Sequence, residues 1–142
     1  MKTPAKKSGF TLIEIVIVLA IAALIVVIVF AAVAGAQRSR RDTDRKSAAN
    51  QALASVQQYY SANNNTGPSA NALTSYINTL KEPSTNGAYT VTVVTATPST
   101  IAQGTIYIGQ GGCTGNALSF TGTGWAAVFY QENGTQACVA IQ

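Results

Sequence analysis

The sequence predicts an α+β fold in which one long N-terminal helix, apolar in its first half and amphipathic in its second, packs on a small antiparallel sheet. Three observations lead there. Residues 15–34 contain no polar side chain, an apolar stripe of helical spacing follows at residues 49–60, and β-branched runs bounded by turn residues fill the last third.

The apolar run extends over residues 10–36 and carries one charge, Glu14. About 20 apolar residues suffice to cross a bilayer core of about 30 Å as a helix. The run is rich in β-branched residues, which favour strands in water. In lipid the backbone must satisfy its own hydrogen bonds, and helix prevails. A secretory signal has a shorter apolar region of about 7 to 15 residues followed by a small-residue cleavage site, a pattern this run does not fit.

The helix is expected to continue past residue 36. Arg38/Asp42, Arg40/Asp44 and Asp42/Lys46 fall at i,i+4, where opposite charges become neighbours on a helix. Ala49, Ala52, Leu53, Val56, Tyr59 and Tyr60 then recur three and four residues apart, a stripe suited to lying against a sheet. No proline occurs from residue 10 to residue 61. The stretch ANNNTGPS at 62–69 breaks the helix, and residues 70–80 are expected to form a short second helix ended by Glu82-Pro83. Strands are expected at 88–94, 105–109, 125–131 and 136–141, the last two joined at the hairpin signal Asn133-Gly134. A few strands are not stable alone, so they should wrap the helical stripe.

Charge limits the functions available. The chain has 9 basic and 5 acidic residues and no histidine, and after Ser61 the only charged side chains are Lys81, Glu82 and Glu132. So sparse a field gives no electrostatic support for nucleic-acid binding by the C-terminal part. It also offers no acid/base pair or metal cluster, so an enzyme is not expected, nor any cofactor or metal. Cys113 and Cys138 lie on the side of the span that leaves the cytosol, which predicts a disulfide rather than two free thiols. Such a bridge stabilises by about 3 to 4 kcal/mol on the chain-entropy account.

The residues KKSGFTLIEIVIVL at 6–19 resemble the class III signal of type IV pilins and pseudopilins. They comprise a short basic leader, Gly9 before the expected cut, Phe10 after it, and then Thr11, Leu12, Ile13 and Glu14. The resemblance implies that a membrane-embedded prepilin peptidase cleaves between Gly9 and Phe10 and then methylates the new amine of Phe10. It implies that Glu14, costly in hydrocarbon by a few kcal/mol, attracts the Phe10 amine of a neighbouring subunit and sets axial register. Many pilins also carry a proline in this helix; only Gly35 occurs here.

The domain plan that follows is a leader at 1–9, a long helix at 10–61 with 10–36 as span and filament core, and a head at 62–142. The partners implied are copies of the chain in a helical filament, the peptidase, an assembly platform protein and, through it, an assembly ATPase. The chain would begin as a single-pass precursor in the inner membrane and end in an extracellular pilus serving adhesion, twitching motility or DNA uptake. Lysine and arginine counting opposes that orientation, since Lys2, Lys6 and Lys7 precede the run while Arg38, Arg40, Arg41, Arg45 and Lys46 follow it. The cysteines and the cleavage motif decide for it. Two other readings stay open: a pseudopilin of a secretion or competence system, and a membrane-anchored surface binding domain that never polymerises.

Overall fold

A computed structural model describes residues 9–69, 72–73, 77 and 80–141. Residues 1–8 of the expected leader and most of the expected short helix at 70–80 lie outside them. The chain divides into two compact units, Met1–Gln37 and Arg38–Gln142. The second therefore contains the later half of the long helix as well as every strand among the described residues.

Helix α1 spans Leu12–Ala62 and runs through Gly35 without a break. In the first unit all 17 Leu, Ile, Val and Phe side chains between residues 10 and 33 are exposed. In the second unit α1 turns one face inward: Arg45, Ala48, Ala49, Ala52, Leu53 and Val56 are buried, with Tyr59 and Tyr60 half-buried at the edge of that face. Alanines at 48, 49 and 52 let the sheet approach the helix closely. The helix ends in a turn whose Asn64 and Asn65 both take positive φ, 51° and 60°, a conformation asparagine tolerates better than most residues.

The strands are β1 (Thr90–Val93), β2 (Thr105–Gln110), β3 (Gly112–Thr114), β4 (Ala117–Ser119), β5 (Trp125–Tyr130) and β6 (Gln136–Ile141). Four form one sheet in the order β1-β2-β5-β6, and β3 pairs with β4 in a small separate ribbon. The antiparallel pairs are β2–β5, with Ile106 opposite Phe129, and β5–β6, with Trp125 opposite Ile141. One pairing departs from the expected antiparallel sheet. β1 runs parallel to β2, Thr90 opposite Thr105, because the connection at 94–104 is long enough to carry the chain back to the same end.

Alternation of side chains explains why β5 is buried from Trp125 to Phe129, with Tyr130 half-buried at its end. Trp125, Ala127 and Phe129 face the helix together with Ile106, Ile108, Val139 and Ile141, while Ala126 and Val128 face a second cluster with Leu118, Ile101, Tyr107, Cys113 and Cys138. Both faces of the sheet are thus covered, one by α1 and the other by the ribbon and the 94–104 crossover. Leu73 and Ile77 complete the first cluster. The disulfide joins Cys113 of β3 to Cys138 of β6, with 5.9 Å between their Cα atoms, and fastens the ribbon to the sheet.

Gly111, between β2 and β3, makes the corner where the chain leaves the large sheet. Its φ is +137°, and a Cβ there would lie 2.1 Å from the Ser119 carbonyl oxygen. The substitution Gly111→Ala should therefore destabilise the head by about 2 to 5 kcal/mol, through strain and overpacking together. A chemical denaturation curve checks this; a shift below about 0.5 kcal/mol would contradict the packing described.

Candidate functional site

The start of α1 is built by its own side chains. Thr11 precedes the first helical residue, and Glu14 occupies the third helical position. Oε2 of Glu14 accepts hydrogen bonds from the Thr11 N–H at 2.8 Å and from the Thr11 hydroxyl at 2.7 Å. In return the Glu14 N–H donates to Thr11 Oγ1 at 3.4 Å. This reciprocal pair is a capping box, which satisfies amide donors that a helix N-terminus otherwise leaves unpaired. A carboxylate also sits favourably at the positive end of the helix dipole. The Thr-x-x-Glu spacing was legible in the sequence and is a second role for Glu14 that the motif alone does not suggest. No bond to Oε1 forms among the described residues, so half of the carboxylate stays open.

Phe10 is 86 % exposed and Gly9 is exposed beside it. A Cβ built on Gly9 meets no atom within 4 Å, so no contact among the described residues requires glycine there. Beyond them, α1 is long and apolar enough to cross a membrane, and no part of its most apolar window is buried. Gly9, Phe10 and Glu14 therefore stand together at one exposed helix end. Cys113 and Cys138 belong to the other unit, where their bond is structural.

In that second unit the charges converge on Arg45, a buried residue that sequence reasoning passed over. Its side chain is 2 % exposed and Glu82 opposite it is 1 % exposed. Arg45 donates from Nε at 2.9 Å and from Nη2 at 2.8 Å to Glu82 Oε1. Nη1 reaches Glu132 Oε2 at 2.6 Å and Asp42 Oδ1 at 3.1 Å. The guanidinium also lies over the Tyr130 ring, 5.9 Å from its centroid. Glu132 holds Arg41 at 2.9 Å through its other oxygen, and its backbone N–H donates to Asp42 Oδ1 at 2.8 Å. Among the described residues Asp42 pairs at i,i+3 with Arg45 on its own helix and accepts the Glu132 N–H from the β5–β6 turn, rather than pairing at i,i+4.

Burying such a pair costs several kcal/mol per ion unless every remaining lone pair finds a donor. Here the second oxygen of Glu82 accepts from the Ser84 N–H at 2.8 Å, the Thr85 N–H at 2.7 Å and the Ser84 hydroxyl. Burial alone would raise the Glu82 pKa, but these bonds and Arg45 outweigh it and hold the carboxyl down at about 2. Burial likewise works against the Arg45 cation, and its bonds to Glu82 and Glu132 more than reverse that, raising its pKa. Both head carboxylates are therefore engaged by helical arginines, Glu82 by Arg45 and Glu132 by Arg45 and Arg41 together. Among the described residues no group of three or more metal-ligating side chains is placed to hold an ion.

A family profile described as the prokaryotic N-terminal methylation motif matches residues 4–34. The match supports a type IV pilin-like class III signal peptide, as on a pilin-like or pseudopilin-like precursor. With its apolar helix, the motif fits a membrane-anchored precursor. No curated protein and no solved structure matches the chain.

The Glu82 pKa lies below the ordinary carboxylate value of 4.5, so its stabilising contribution is complete above that pH and is lost as pH falls toward 2. Melting of the full chain in detergent should fall steeply across that window. Glu82→Gln should cost about 3 to 5 kcal/mol at pH 7 and flatten the acid limb. An unchanged limb in the variant would show that another group governs it.

Proposed function

We propose that the chain is a structural subunit of a type IV pilus. The leader, residues 1–9, is removed between Gly9 and Phe10, Phe10 is N-methylated, residues 10–61 supply the long helix with 10–36 as filament core, and residues 62–142 form the outer head. The observation that carries this reading is the methylation motif at 4–34 standing on a helix whose apolar side chains are uncovered all round. Gly9 supports it as well, since no contact among the described residues asks for glycine. A protease that takes the backbone in extended form does.

Glu14 sets register in this proposal. Its Oε2 is occupied by Thr11 and its Oε1 is open, so the methylated amine of a neighbouring Phe10 can be accepted without dismantling the helix cap. The 17 large apolar residues between 10 and 33 hold a lone subunit in lipid by about 5 to 10 kcal/mol, at about 0.3 to 0.6 each. Extraction then requires neighbouring helices to replace lipid, with an assembly platform and its ATPase driving the step. Adhesion, twitching motility or DNA uptake would be activities of the filament on the cell surface. A pseudopilin shares all of this up to filament length. The scarcity of carboxylates after Ser61, where only Glu82 and Glu132 occur, favours the pilus over those pseudopilins that carry an acidic calcium loop.

Mass spectrometry of sheared surface filaments tests the proposal. Abundant peptide beginning at methylated Phe10 is expected; chain found only in membranes and still beginning at Met1 would refute it. Glu14→Ala should be cleaved normally yet fail to assemble, and unimpaired filaments would remove the register role.

A further inference from the structure

Five cations follow the apolar run within nine residues, an arrangement that positive-inside counting disfavours for a segment leaving the cytosol. The structure sorts them. Arg41 and Arg45 are consumed by Glu132, Asp42 and Glu82. Arg38, Arg40 and Lys46 are exposed and make no ion pair or hydrogen bond among the described residues, and neither remaining head carboxylate is available to them. Asp44 is the only anion left nearby. The surface of α1 just past the apolar run is therefore positive because the head has withdrawn its acids from it.

We propose that Arg38, Arg40 and Lys46 form a collar that binds the headgroups of anionic phospholipids while the subunit is still in the membrane. This rests on the reading that residues 10–36 span a bilayer. At about 100° per residue the three side chains leave the helix on three different sides, so they meet headgroups around its circumference. Cα–Cβ bonds of a helix lean toward its N-terminus, which here is the lipid side, and the long stems of arginine and lysine let the charged ends follow the headgroup layer. Lys46 begins about 12 Å beyond Arg38 along the axis and reaches that layer through its stem. Each cation near an anionic surface contributes about a fivefold preference, and Asp44 opposes one of them. The collar would hold the head at the membrane surface until assembly withdraws it.

The test places the full-length chain in nanodiscs of phosphatidylcholine and phosphatidylglycerol and counts the lipids retained on the protein by native mass spectrometry. Phosphatidylglycerol should be retained about tenfold or more above its share of the bilayer. The triple variant R38Q/R40Q/K46Q should fall to near that share, with the head's melting temperature unchanged. K81Q, which removes an exposed head cation outside the collar, should behave as wild type. Equal retention of both lipids by an inserted wild-type chain would overturn this proposal alone, as would paired copies of the chain with no enrichment of phosphatidylglycerol. A chain that does not co-elute with nanodiscs would overturn the membrane reading and the collar with it.

Discussion

The constraint on which the rest depends is a helix segment that is apolar on every side and covered by none of the described residues of its own chain. The side chains from Phe10 to Val33 are exposed without exception among the large apolar residues, and water is the one solvent that cannot receive them. At about 1.5 to 3 kcal/mol for each large apolar side chain, leaving all 17 of them wet costs more than a small domain's whole stability. The segment therefore has two acceptable environments, lipid and other apolar helices. Under the proposed function, leader removal, methylation of the new end and an acid near it would be the means of passing from one to the other.

The head solves a different problem with the same helix. From Arg38 onward α1 behaves as a core element of a water-soluble fold, presenting small apolar residues to a sheet whose other face is closed by a disulfide-bound ribbon. What ties the loops to the helix is ionic. Arg45 gathers Glu82 from the segment before β1 and Glu132 from the β5–β6 turn, so two distant loops are held at one point. Replacing such a centre with apolar residues is often neutral for stability. Its consequence here is specificity of placement, together with a head surface nearly free of negative charge.

Much of this was legible in the sequence where the signal is local. The apolar run, the 49–60 stripe and the four main strands follow from periodicity, and β2, β5 and β6 begin at the residues expected of them. The ribbon of β3 and β4 was not legible: its strands have three residues each, too few for alternation to register. The parallel β1–β2 pair depends on how the 94–104 segment crosses, which no pattern within either strand encodes. Arg45 escaped for a similar reason. Its partner Glu82 is 37 residues away, whereas helical charge rules look four residues along. Thr11 and Glu14 form the opposite case, a capping box written plainly in the sequence and overshadowed by a more conspicuous motif.

The central claim is that helices of neighbouring subunits take the place of lipid around residues 12–36. Hydrogen exchange on sheared, detergent-free filaments tests it most directly. Amides of residues 12–36 should exchange as slowly as those of β5, the most enclosed strand of the head. Exchange at the rate of an uncovered helix would mean that the segment is not packed against its copies, and the account would fail at its base.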